Sequence, residues 1–445
     1  MWREAKEDLL RWREDPHRKP LMVSGPHYCG KTYLLKEFGK ECYENVLYID
    51  FEHSKDAKLV FEKDLDPQRI VRDLSNMCQT PVKEGSTLII FDEVQVCQAA
   101  ITSLKYFREQ ADGYHIIAAG SFLGVPLEEN GSFPVGCVTF LRMGPMNFHE
   151  WLIANGRELL WDHANTSSDN WDAIFEMLDD ECRKYLFVGG MPQAVQIWID
   201  THDESKVAEV QDKILNSYAA DFMKYVPENL AVNVYKVWSS VPEQLAKNNE
   251  RFYYTDVESS GRGRNFNNAV SWLVSADLIR DLTCARIFTK SPVLLPDFTR
   301  FKLYMCDCGL MSRMLDASLS VFLYDGLNGG VDPGYRRAVA ENFVFNELQY
   351  LFDRDPFYWK EGKYGVDFLV STEAGTIPID VDSGSRIPLG VRAYIDKYAP
   401  KAAIILSKKP LKDESVISLP LCMAWKVRSI VDGLKDNNQK SDGVV

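Results

Sequence analysis

No run of about 18 uncharged apolar residues occurs in the 445-residue chain, so a membrane-spanning helix is not expected. The opening segment MWREAKEDLLRWRED is charged and amphipathic, without the apolar stretch of a secretory signal. Ten cysteines are present, yet none is spaced as a zinc ligand. Cys306 and Cys308 are separated by a single residue, with no second close pair or histidine partner. Cys97 and Cys182 stand among apolar or helical residues and read as small core side chains. This usage suits a reducing, cytoplasmic setting. Excess positive charge is also missing: 51 basic against 64 acidic residues give a formal charge of −13. A broad, nonspecific nucleic-acid binder is therefore disfavoured, while a local basic face stays open. Internal repeats are absent, and only the last dozen residues have the composition of a disordered tail.

What remains is ample for several cores, with 46% hydrophobic and 12% aromatic residues. Length alone predicts roughly two to four domains. Over the first 150 residues, apolar runs at Leu21–Val23, Val46–Phe51, Leu88–Phe91, His115–Ala119 and Val138–Leu141 alternate with helical stretches. The runs are continuous rather than alternating, as buried parallel strands require. The pattern predicts an α/β fold with a doubly wound parallel sheet. From Trp151 to Val226 the chain reads as helical, interrupted by a turn at Gly189–Pro192. Residues 230 to 320 read as helices followed by short strands, an order compatible with a small winged-helix domain. The glycine-rich stretch Asp325–Gly334 marks the clearest boundary. Beyond it come a helix, three strand-like runs, a helix and a strand, a second α/β layer.

Gly25-Pro26-His27-Tyr28-Cys29-Gly30-Lys31-Thr32 matches GxxxxGK[ST], the P-loop or Walker A pattern. Glycines at the loop ends let backbone N–H groups wrap a phosphate, the Lys31 ammonium balances its charge, and the Thr32 hydroxyl ligates Mg2+. PLMVS before it reads as a strand and KTYLLKEFGKEC after it as a helix, which places the loop at a helix N-terminus. Leu88-Ile89-Ile90-Phe91 is an oily strand that delivers Asp92 and Glu93 to the sheet's carboxyl edge. Asp92 is expected to hold Mg2+ through water, and Glu93 to polarise the attacking water. Ser121, at the end of the next buried run, is either a sensor of the γ-phosphate or a helix N-cap. Together these residues predict ATP and Mg2+ as ligands and hydrolysis as the chemistry, with Lys31, Glu93 and Ser121 in catalytic roles.

The order Walker A, strand-Asp92-Glu93, Gly120-Ser121, Phe133-Pro134-Val135-Gly136 and Pro145–Leu152 resembles a prokaryotic family of predicted AAA+ class ATPases. The resemblance continues through VGGMP, QLAKNNERF, FKLYMCDCGLM, AENFVFNEL and the VDF strand, from about residue 15 to 430. It implies a P-loop core over 1–155, a helical lid over 156–226 and a winged-helix-like domain over 227–324. A C-terminal domain related to the restriction-endonuclease fold is implied over 335–430. By similarity to related signalling ATPases, Gly190 and Pro192 in the lid touch the nucleotide; a simple interhelical turn is the other reading. Arg108 or Arg142 would supply an arginine finger to a neighbouring subunit, or else be an ordinary surface arginine.

For the C-terminal domain the resemblance implies a metal site of Glu341, Asp367 and Asp380. The lysine expected next is replaced by Asp382, and Gly365 stands where related proteins carry glutamate. DNA cleavage is thereby put in doubt unless Lys360 or Lys363 substitutes, and a degenerate scaffold is the plainer expectation. Arg262 and Arg264 form a short basic loop that either grips a phosphate backbone or pairs with acidic neighbours. The functional expectation is an ATP-driven switch acting on DNA or a protein partner, with self-assembly open. An ATP-regulated nuclease and a non-catalytic scaffold are the alternatives.

Overall fold

A computed structural model describes residues 1–121, 134, 136–166, 171–287, 294–323, 333–352, 354–373, 375–381, 386–407, 413 and 415–441. Phe133, Val135, residues 325–332 of the glycine-rich stretch and Asp382 lie outside the described residues. The chain forms two compact units, one of Met1–Met146 with Trp272–Leu278, the other of Asn147–Ser271 with Ile279–Val445. The segments read as lid and C-terminal domains fall in the second, as does the middle segment except for Trp272–Leu278, which belongs to the first.

In the first unit five parallel strands, β1 (Leu21–Ser24), β2 (Asn45–Asp50), β3 (Thr87–Asp92), β4 (His115–Gly120) and β5 (Thr139–Arg142), lie in the order β2-β3-β4-β1-β5. The central strands are buried on both faces because successive side chains point to opposite sides and both sides are covered. Leu21, Val23, Leu88, Ile90, Ile117 and Ala119 pack with Leu9 and Trp12 of the helix Ala5–Glu14 and with Leu34, Leu35 and Phe38 of the helix Lys31–Cys42. Their alternates Met22, Ile89, Phe91, Ile116 and Ala118 face the helices Lys55–Lys63, Pro67–Cys78 and Gln98–Gln110 through Phe61, Ile70, Leu74, Ile101 and Leu104. Two covered faces account for the unbroken apolar runs.

At the sheet's edges the rule changes. β5 pairs only with β1, and Thr139, Phe140 and Arg142 are exposed, so this apolar run is an edge rather than a buried strand. The parallel order carries the carboxyl ends of β1, β3 and β4 to one rim, where Ser24, Asp92 and Gly120 end their strands.

The second unit combines helices, among them Trp171–Val188, Pro192–Thr201, Glu204–Tyr225 and Glu228–Ala246, with a seven-stranded sheet. Its strands are β6 (Ile279–Ile287), β7 (Leu294–Met305), β8 (Phe357–Glu361), β9 (Tyr364–Thr372), β10 (Gly375–Val381), β11 (Ile404–Ser407) and β12 (Ile417–Pro420). Helices followed by the antiparallel hairpin β6–β7 keep the order expected of a winged helix. The hairpin is not free-standing, however: β6 also bridges to β8 at Cys284 and Tyr358, so it extends the C-terminal sheet. The helix Lys426–Ser441 runs into the tail expected to be disordered, a correction that its amphipathic start explains, since Val427 and Val431 are buried.

Phe61 packs edge-on against Phe51 and Phe91 with ring centroids 5.5 Å apart in both pairs, away from the loop after β1. Phe61→Ala is expected to cost about 3–5 kcal/mol of stability, measured by urea denaturation, because the rigid sheet behind it cannot collapse into the space.

Candidate functional site

The loop Gly25–Gly30 joins β1 to the helix Lys31–Cys42 through three left-handed positions, Gly25 (φ 152°), Tyr28 (φ 66°) and Gly30 (φ 95°). Such turns point successive N–H groups to the same side, which builds an anion-binding concavity at a helix N-terminus. Lys31 is buried, and its Nζ donates to Gly25 O, Pro26 O and Ser121 Oγ, each at 2.9 Å. The structure therefore brings Ser121 to the loop. Cys29 is fully buried beneath it, and Tyr28 is 40% exposed.

Thr32 Oγ1 donates to Asp92 Oδ2 at 2.7 Å, so the two expected Mg2+ ligands meet although β1, which leads to the helix of Thr32, and β3, which ends at Asp92, are separated by β4. Asp92 is 2% exposed, and burial pushes its carboxyl above the usual range against hydrogen bonds from Thr32 and Tyr48. Tyr48 on β2 donates to the same oxygen at 2.8 Å, while Lys36 Nζ stacks on its ring at 3.6 Å. A buried carboxylate facing a threonine hydroxyl is the donor set that a hard cation takes. Thr32 and Asp92 thus fit Mg2+.

Glu93 sits in a left-handed turn, φ 49°, which lifts its side chain off the strand line. Burial would raise its carboxyl, but His27 and Gln95 reverse this and hold it at about 2. His27 Nε2 lies 3.4 Å from one oxygen, and Gln95 Nε2 donates to the same oxygen at 2.6 Å. At neutral pH the group is an anion suited to orienting water.

The remaining candidates lie elsewhere. Arg108 donates to Arg18 O at 3.2 Å, and Arg142 is ion-paired with Asp277. Gly190, in the second unit, gives its N–H to the buried Asp307 at 2.7 Å, and Pro192 opens the helix Pro192–Thr201. Burial raises Asp307 to about 6, even though it also caps Leu310 N. This is an anchored turn. Arg262 and Arg264 are exposed.

Glu341, Asp367 and Asp380 do come together, in an arrangement unlike a metal cradle. Lys302 Nζ on β7 donates to Glu341 Oε1 at 2.7 Å and lies 3.8 Å from Asp367, and Tyr304 OH donates to Glu341 at 2.6 Å. Arg337 stands 3.4 Å from Asp367, and Asp380 accepts the Asp367 N–H at 3.0 Å. Burial would lower the Lys302 ammonium, but the charges of Glu341 and Asp367 raise it; Lys302 and Arg337 in turn draw Glu341 down against its own burial. Among the described residues no group of three or more His, Cys, Asp or Glu is arranged to hold a metal ion. The second metal site is corrected accordingly: two cations neutralise the carboxylates that a metal would have needed. Neither Lys360, paired with Glu250 at 2.5 Å, nor Lys363, over the Tyr364 ring, is the lysine involved.

With this geometry in view, residues 17–152 match the family model described as an AAA domain, and residues 179–320 match one described only as a domain of unknown function. Residues 17–152 carry an AAA domain. No curated protein matches the chain. Among solved structures it is similar to a Walker-type ATPase of Pyrococcus abyssi, at 12% identity and TM-score 0.45, covering 70% of this chain and 95% of that one. It is also similar to the Aeropyrum pernix ORC1 protein in complex with DNA, at 12% identity and TM-score 0.28, over 73% and 94% of the two chains. AMPPCP-bound DnaA from Aquifex aeolicus is similar at 15% identity and TM-score 0.28, over 60% and 86%. Likenesses this slight assign no function. No helix among the described residues is long and apolar enough to cross a membrane.

Tyr48, Gln95 and Lys302 escaped sequence reasoning. Only Lys302 left a signal, a lysine inside the apolar strand FKLYM. Lys302→Met keeps the aliphatic stem and strips the charge, leaving Glu341 and Asp367 crowded together. It is expected to lose about 3–5 kcal/mol of stability by urea denaturation.

Proposed function

We propose that this protein binds ATP with Mg2+ and hydrolyses it slowly, as a molecular switch for a nucleic-acid or protein partner. The observation that carries the reading is the convergence of Lys31, Thr32, Asp92, Glu93 and Ser121 on one rim of a parallel sheet. Lys31 would exchange its bonds to Gly25, Pro26 and Ser121 for phosphate oxygens. Thr32 and Asp92 would hold Mg2+, which would supply charge neutralisation to the phosphates. Glu93 orients water as a fixed anion, and Ser121 stays within reach of the same ammonium.

Slow turnover follows from the arginines. Arg108 and Arg142 are both committed, to Arg18 O and to Asp277, so transition-state charge would need an arginine from a second copy or from a partner. Gly190 and Pro192 belong to the proposed lid, whose turn is fastened by Asp307 rather than open. We read the C-terminal α/β layer as an endonuclease-like scaffold without cleavage activity; its carboxylates are neutralised by Lys302 and Arg337. The exposed Arg262 and Arg264 are the reading's candidate contact to a phosphate backbone. Ten free thiols suit action in the reducing cytoplasm.

Calorimetry with ATP·Mg2+ and a phosphate-release assay test this together. Lys31→Ala is expected to weaken binding by about two orders of magnitude. Glu93→Gln should keep binding and lower kcat by about 10²–10⁴-fold. Full nucleotide affinity in Lys31→Ala would sink the reading.

A further inference from the structure

We propose that Arg3 is a positioning residue for the phosphate loop, orienting the Cys29–Gly30 peptide so that its N–H faces bound phosphate. The inference deepens the nucleotide-binding reading and rests on it. Arg3 is only 5% exposed, and its guanidinium donates to Cys29 O at 2.6 Å and to Gly144 O at 2.7 Å. It stands ahead of the span matched by the AAA domain model, residues 17–152. No part of the GxxxxGK[ST] pattern points to it.

In a trans peptide the C=O and the following N–H point in opposite directions. Fixing the Cys29 carbonyl from behind therefore aims the Gly30 N–H to the opposite side, into the concavity of the loop. A cation at the carbonyl also polarises the peptide and strengthens its N–H as a donor. Gly30 is left-handed and so has a wide choice of alternative peptide orientations, which makes an outside constraint useful at this place.

Arg3 also ties the loop to the chain just beyond β5. Gly144 follows Met143, which lies just past β5 and is hydrogen-bonded to the end of β1 and to the loop, with Gly25 closely approached. The Met143 N–H donates to Ser24 O at 2.8 Å, its carbonyl lies 3.3 Å from the Cys29 thiol, and a Cβ on Gly25 would meet that carbonyl at 1.9 Å. Arg3 bridges the two sides of this junction. The helix that follows holds Arg3 in place, because Leu9 and Trp12 are buried in the sheet's core and Trp12 Nε1 donates to Lys19 O at 2.7 Å. The phosphate loop and the stretch by which the chain leaves the first unit, at Met146, thus share one guanidinium.

Two measurements on the full-length protein test the clamp. Amide hydrogen exchange of the nucleotide-free protein should be faster over residues 27–30 and 144 in Arg3→Ala, with β3 and β4 protected as in the unaltered chain. Calorimetry should give an ATP·Mg2+ dissociation constant about tenfold higher in Arg3→Ala, with kcat at saturating ATP changed far less. Arg3→Lys, whose ammonium can serve one carbonyl well, should fall between the two and covers the case in which the alanine variant folds poorly. Unchanged loop exchange in both variants overturns the clamp, as does faster loop exchange with unaltered ATP affinity. If the unaltered protein itself binds no ATP, the functional reading fails instead, and the exchange of residues 27–30 still decides whether Arg3 holds the loop.

Discussion

A loop that binds an anion with its backbone amides must direct the carbonyls of those same peptides away from it, and each buried carbonyl needs a donor of its own. That constraint organises the first unit. Lys31 turns back to Gly25 O and Pro26 O, Arg3 takes Cys29 O, and Gly30 O accepts the first helical bond from Leu34 N. The donors come from the N-terminus and from the helix after the loop, so the loop is held from both sides in sequence. Its left-handed positions cost conformational energy that this shared bonding offsets.

Two carboxylates at the same rim are treated oppositely by their surroundings. Asp92 receives hydroxyl donors from Thr32 and Tyr48 and stays a buried anion whose burial is only partly compensated, a poor resting state that a divalent cation improves. Glu93, one residue on, is already satisfied by His27 and Gln95. On the proposed reading, cation holding and water orientation are thereby divided between neighbours in sequence. The division depends on the left-handed turn at Glu93, without which the two side chains would simply alternate across the strand.

Much of this was legible in the residues. All five apolar runs of the first unit became strands, the central β1, β3 and β4 because double-sided burial demands unbroken apolar sequence, and the GxxxxGK[ST] pattern located the loop. Illegible were contacts made across the fold by residues with no pattern of their own. Arg3 meets Cys29 and Gly144 only after β1 and β5 have paired, and Tyr48 meets Asp92 only because β2 lies beside β3. The resemblance implied a metal site at Glu341, Asp367 and Asp380, and Lys302 stayed hidden because it enters from a strand that sequence reasoning had assigned to a different domain.

The buried cluster of the second unit bears on what kind of machine this is. Three carboxylates facing Lys302 and Arg337 leave at most one negative charge, far from the strongly negative cradle that attracts a divalent ion. Lys302 cannot leave without exposing Glu341 to Asp367, so the cluster holds the hairpin β6–β7 to the helix Pro333–Leu351 and to β9. Such a network is costly to open and insensitive to small perturbations, which is the behaviour of a joint. The rim of the first unit is the contrary case: Lys31 has alternative acceptors as soon as a phosphate arrives, and Asp92 gains by taking a cation. On the proposed reading, charge that a ligand can re-partner lies at the phosphate loop of the first unit, and charge that it cannot lies in the buried cluster of the second.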